Sequence, residues 1–250
     1  VAGETSYVSD GKFTLDATRE GVFTGELASA LDNGRSYDWY AIYPYEKYVK
    51  TPTATNSGYR NLGQISNGKY LTQNGNDSKA HLCGAALPLY GVAKSVASDA
   101  MPQMQMKNLT SVVAVDVNNT TTEALNVNSI KFTSTEDIVG TYYIDFTGES
   151  VKYTMSDAKY VKSTASLTVE NSEIAAGAKA TFYIPIKPHT AKAGSTLTLS
   201  VNGYEKESPS LTKDVTFTAG KIKTLKFDYN SSSVTTEYKS LAELSAAILD

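Results

Sequence analysis

Two histidines, His81 and His189, one cysteine, Cys83, and 26 carboxylates are among the side chains in this 250-residue chain with the chemistry for covalent or acid–base work. Nucleophilic catalysis needs a base within hydrogen-bond reach of its nucleophile. The two histidines lie far apart in sequence and in different predicted domains, so a histidine-based triad is not expected. Cys83 sits in HLCGAALPLY among apolar neighbours, which predicts a small buried hydrophobe rather than a reactive thiol. His81, two residues away, shares a strand face with it if that stretch is extended, but no further metal ligands accompany the pair. Glycosidase chemistry requires two carboxylates roughly 5 to 10 Å apart, and nothing in the spacing selects such a pair, so the acidic residues read as solvated charges. NGNDSK, Asn74 to Lys79, has oxygen ligands like a calcium loop but lacks the distal glutamate, and reads as a polar turn. No catalytic residue, metal or cofactor is expected.

The sharpest feature with binding chemistry is YDWYAIYPY, Tyr37 to Tyr45. Exposed, its aromatics Trp39, Tyr40 and Tyr43 would stack on sugars or anchor a protein interface. The competing reading is a core strand whose aromatics fill a sandwich. Sequons begin at Asn76, Asn108, Asn118, Asn119 and Asn230, and are read as chance in a chain rich in asparagine and threonine.

Lysine and arginine total 23 against 26 acidic residues, a net charge of −3, and both signs are interspersed. A phosphate backbone needs a basic stripe, so nucleic acid is excluded as an expected partner. No apolar run approaches the roughly 20 residues that cross a bilayer. The chain begins at Val1 without a methionine or a leader, which reads as a trimmed mature fragment. A single cysteine forms no intrachain disulfide, so stability rests on packed cores.

The elements that must position these residues are strands. Val113, Val115 and Val117 alternate with smaller or polar residues; Tyr142, Ile144 and Phe146, then Ala165, Leu167 and Val169, repeat the pattern. Phe182, Ile184 and Ile186, Leu197, Leu199 and Val201, and Val215 and Phe217 continue it. A period of two is what a strand with one buried and one wet face produces. Further strands are predicted near Lys12 to Thr18, Val22 to Leu27, Tyr37 to Tyr43 and Tyr59 to Ile65. Asn33-Gly34, Asn67-Gly68, Asn74-Gly75, Asn202-Gly203 and Ala219-Gly220 supply the positive φ of tight turns. The fold class is all-β, with two antiparallel sandwich domains in tandem, since 250 residues exceed one sandwich of roughly 100. The boundaries are 1–121, closed by the valine strand, 122–238, and 239–250. In the last segment Leu241, Leu244 and Ile248 share a helical face, as a C-terminal helix or the start of a further segment.

Four segments resemble the fimbrillin-like surface adhesins and pilus subunits of Bacteroidales: YAIYPY (40–45), KNLTSVVAVDVNN (107–119), FYIPIKP (182–188) with LTLSVNG (197–203), and FTAGKIKTLKF (217–227). They occur in the family's order across nearly the whole chain. The resemblance implies transthyretin-like sandwiches and a non-enzymatic pilus subunit, tip or anchor at the outer membrane surface. It also implies export as a lipoprotein whose lipidated cysteine precedes Val1, so that the membrane is met only through that anchor. Partners are other pilus subunits by strand exchange, and host or bacterial surface proteins or glycans. In the family an Arg- or Lys-directed protease removes the N-terminal strand, leaving a groove for another subunit's strand. Arg19, which follows a strand with Phe13 and Leu15 facing inward, is the matching processing site here, against the alternative of an ordinary charged turn residue. A stand-alone glycan-binding surface lipoprotein using Trp39, Tyr40 and Tyr43 is the alternative function.

Overall fold

A computed structural model of the chain describes residues 11–27, 29–44, 59–62, 71–145, 148–155 and 161–230. The expected tail over 239–250, together with Tyr45 and Phe146, lies outside them. The described residues hold strands and one 3-10 turn, Gly84–Ala86, and no α-helix. The strands of the N-terminal part are β1 Phe13–Leu15, β2 Phe23–Gly25, β3 Ser36–Tyr43, β4 Tyr59–Leu62, β5 Leu71–Asn74, β6 Leu89–Ala97 and β7 Lys107–Asn108. They continue with β8 Ser111–Asn119, β9 Leu125–Asn126, β10 Ser129–Thr133, β11 Val139–Asp145, β12 Lys152–Met155, β13 Val161–Lys162, β14 Thr164–Glu170 and β15 Glu173–Ile174. The last are β16 Lys179–Ile186, β17 His189–Ala191, β18 Thr198–Val201, β19 Tyr204–Glu207, β20 Val215–Phe217 and β21 Ile222–Tyr229.

The chain divides into two compact units. One comprises Val1–Arg60, Leu89–Lys107 and Tyr142–Ser156; the other comprises Asn61–Pro88, Asn108–Thr141 and Asp157–Asp250. In the first, β3 pairs antiparallel with β6, β1 with β2, and Tyr142 to Asp145 with β12. A side-chain carbon at Gly91 of β6 would lie 2.7 Å from the Met106 sulfur, so the methionine would have to shift to admit one.

The second unit is a sandwich. One layer is the five-stranded sheet β19-β18-β10-β14-β5, and the other is β16-β8-β21. β8 lies between its two neighbours, in register Val115 to Phe182 and Val115 to Leu225. Val113, Val115 and Val117 therefore share a face with Ala180, Phe182, Ile184, Leu225 and Phe227. That face meets Ile130, Phe132, Ala165, Leu167, Val169, Leu199, Val201 and Leu71 of the other layer in one buried cluster. Alternation thus sends one set of side chains between the layers, although Val112 and Ala114 on the other face of β8 are buried as well, and each large side chain so buried contributes about 1.5–3 kcal/mol. The β18–β19 hairpin turns on Asn202 and Gly203, at φ +51° and +84°, the double positive φ of a two-residue hairpin loop.

Most pairings are antiparallel, but β5 joins β14 and β21 joins β8 in parallel, so the sheets are not a simple meander. The 121/122 boundary falls inside the second unit: β8 pairs with β16 and β21 from the C-terminal half rather than closing a core with the strands before it. Alternation identifies a half-buried strand but not its partner. The last residue of β8 ties the polar run that follows it to the same unit. The amide of Asn119, fully buried, donates to the carbonyls of Glu123 at 2.7 Å and Ile174 at 2.9 Å.

Candidate functional site: an exposed hairpin, an aromatic strand and a guarded edge

Arg19 lies in the turn of the β1–β2 hairpin. Val22 N donates to Arg19 O at 3.2 Å, and Asp16 N donates to Val22 O at 2.7 Å. The Asp16 carboxylate caps this turn, accepting from the Thr18 hydroxyl at 2.7 Å, the Thr18 N–H at 2.9 Å and Arg19 Nε at 2.7 Å. These donors, Thr18 first, hold its pKa below the ordinary carboxylate value. The Arg19 side chain is 56% exposed. Phe13, expected to face inward and paired with Gly25, is 39% exposed, and Phe23 of β2, which pairs with Leu15, is 47% exposed. The reason is that, among the described residues, β1 pairs with β2 alone, over three residue pairs, and so short a ribbon leaves these two rings uncovered.

The aromatics of β3 do not form one platform. Trp39 is half-buried, with its Nε1 fully buried and unpartnered among the described residues. Tyr40 is half-buried; the Lys94 ammonium lies 4.5 Å from its ring centroid and donates to its hydroxyl. Tyr43 is 44% exposed. Asp38 accepts from Lys94 Nζ at 2.8 Å and from Ser95 N at 3.0 Å, which draws its pKa down, Lys94 contributing most, while Asp38 in turn raises that of Lys94. A β-bulge between Tyr37 and Trp39 re-aims the strand at this point.

The nucleophile candidates are placed differently from expectation. Cys83 precedes the 3-10 turn and is exposed, where a buried hydrophobe was expected, and its stretch is turn rather than strand. His189, in contrast, meets a serine that the sequence reading passed over. Its Nε2 lies 2.9 Å from Ser134 Oγ and its Nδ1 3.2 Å from Lys187 O. A carbonyl only accepts, so Nδ1 carries the proton and Nε2 accepts from the serine. Ser134 is buried, and the imidazole stacks on Phe217 with centroids 4.6 Å apart. This pair has a nucleophile–base distance, but its hydroxyl is enclosed in packing.

The tract after β5 makes the most organised polar arrangement. Gln73 alternates with Leu71 on the buried face of β5, and it reaches across to β16. Its Nε2 donates to Thr181 O at 3.1 Å and its Oε1 accepts from Tyr183 N at 3.0 Å. Asp77 Oδ1 accepts from Thr181 N at 2.8 Å, and His81 Nε2 donates to Tyr183 O at 2.8 Å. Three side chains thus satisfy the outward backbone groups of the two middle residues, Thr181 and Tyr183, of this strand. The NGNDSK turn is committed to protein contacts throughout: Asn74 Oδ1 accepts from Asn171, and Asn76 Oδ1 accepts from Ser172. Sequence reasoning missed this guard, although Pro185 inside a strand pattern is a signal of an edge.

No protein-family model matches the chain, and no curated relative matches it. Solved structures similar to it include three candidate cell adhesion proteins. That of Bacteroides ovatus is 16% identical, with 83% of this chain and 70% of that chain covered and a TM-score of 0.49. That of Bacteroides uniformis is 15% identical, covering 84% of this chain and 73% of that one at a TM-score of 0.41. That of Bacteroides thetaiotaomicron is 15% identical, covering 94% and 85% at a TM-score of 0.41.

Proposed function

We propose that the chain is a non-enzymatic adhesion protein of the cell surface, serving as a subunit or anchor of an outer-membrane fimbria assembled by strand donation. One observation carries this reading. Three of the segments that resemble fimbrillin-like proteins become hydrogen-bonded neighbours, β8 from KNLTSVVAVDVNN, β16 from FYIPIKP and β21 from FTAGKIKTLKF, in a single sheet. LTLSVNG forms β18 in the layer packed against them. The segments therefore work as one structural body rather than as scattered likenesses.

The turn at Arg19 supports the processing step, because a protease needs an exposed, locally releasable segment. Cleavage there would free residues 1–19, including β1, which pairs with β2 over three residue pairs among the described residues. Incubation with an Arg-specific protease is expected to leave a fragment beginning at Glu20, and chromatography with electron microscopy is expected to show oligomers or filaments only afterwards. A cleaved chain that stays monomeric overturns strand donation. Failure of cells to adhere to a surface coated with the chain overturns the adhesive role.

A further inference from the structure

A strand at a sheet edge offers unpaired N–H and C=O groups to any strand that meets them. Among the described residues β16 is such an edge, yet the outward groups of Thr181 and Tyr183 are all engaged by Gln73, Asp77 and His81. An antiparallel neighbour would make the same four bonds to those two residues. Pro185 has the same parity, so its missing N–H falls on the outward side and no further donor is available there.

We infer that Gln73, Asp77 and His81 are an intramolecular stand-in for a strand, and that β16 is a latent pairing edge whose occupant, once they are removed, is β16 of a second copy of this chain. Paired about a two-fold axis beside Phe182, Thr181 of one copy stands opposite Tyr183 of the other, and the reverse. That arrangement gives four bonds, matching in number and position the four the side chains now make. The guard prevails in the native chain because it is tethered to the edge it covers, at high effective concentration.

The opposite edge of the same sheet shows that such a guard is not simply how this sandwich closes a seam. At β21 the cover is Tyr204 edge-on to Phe227, centroids 5.9 Å apart, and Lys206 over the same ring, with Lys206 Nζ donating to Asp228 O. There rings and an alkyl stem replace the residue-by-residue imitation of a strand seen at β16. This inference does not rest on the adhesive role proposed above.

The test is the full chain carrying Gln73→Leu, Asp77→Ala and His81→Leu, compared with the unaltered protein by light scattering over a concentration series. The unaltered chain is expected to keep one mass, and the variant to rise to twice that mass. Adding Thr181→Pro is expected to restore the single mass, since the Thr181 N–H points away from β8 and its loss spares the β8 ladder. Amide exchange checks the premise: Gln73→Leu alone is expected to speed exchange at Tyr183, and Asp77→Ala at Thr181, each by at least about 100-fold. A folded triple variant that stays monomeric overturns the proposal, as does an association that Thr181→Pro leaves intact. Should the triple variant fail to fold, Gln73→Leu, which frees the Thr181 carbonyl and the Tyr183 amide together, carries the test with the same two outcomes.

Discussion

His81 and His189 are each held below the ordinary histidine pKa, and burial is the largest cause for both; the Lys187 charge adds to it at His189. His81 has a specific liability. Its Nε2 is engaged with Tyr183 O while its Nδ1 is buried and unpartnered among the described residues, so a second proton would be placed where nothing accepts it. The unfolded chain takes up that proton near pH about 6.5, more readily than the folded one. Stability is therefore complete above that value and falls as pH drops through it toward the lowered folded values. The urea midpoint is expected to be lower at pH 5.5 than at pH 7.5, and His189→Gln should shrink the difference; equal midpoints in the unaltered chain refute this. Asn119 gives a second residue-scale expectation. Replacing it with alanine leaves the buried carbonyl of Ile174 without its donor, and should cost about 1–3 kcal/mol in urea unfolding.

Strands differ in how much of the fold depends on them. Among the described residues β1 and β2 pair only with each other and leave Phe13 and Phe23 exposed. Nicking the chain after Arg19, with residues 1–19 still paired, is accordingly expected to leave the far-ultraviolet circular dichroism and the main thermal midpoint within experimental error; a marked drop would mean that the turn itself holds the unit together. β16 is the opposite case, with Phe182 fully buried between the layers. Phe182→Ala should destabilise by about 3–5 kcal/mol, read from the denaturant midpoint. Much of β16 was legible in advance, because Phe182, Ile184 and Ile186 alternate cleanly. Its place at an edge was signalled only by Pro185, and its guard by nothing local, since Gln73 is 108 positions from Thr181.

At the scale of the second unit, the two sheets share one hydrophobic cluster. A cavity opened on one layer should therefore weaken the other. Val115→Ala, at a site with no exposed surface on β8, is expected to reduce amide protection in β10 and β14 as well as in β16 and β21. Loss confined to the β8 sheet would show that the layers open separately.

The sequence by itself determined the all-β class, most of the longer strands and which of their residues point inward. Those properties follow from the period of two and from the turn chemistry of pairs such as Asn202-Gly203, which act over a few residues. Tertiary structure alone decided that β8 pairs with β16 and β21, that Ser134 meets His189, that Phe13 stands exposed and that Gln73 covers β16. Each depends on which distant segments lie side by side, and alternation, which specifies a strand's faces, leaves its neighbours open.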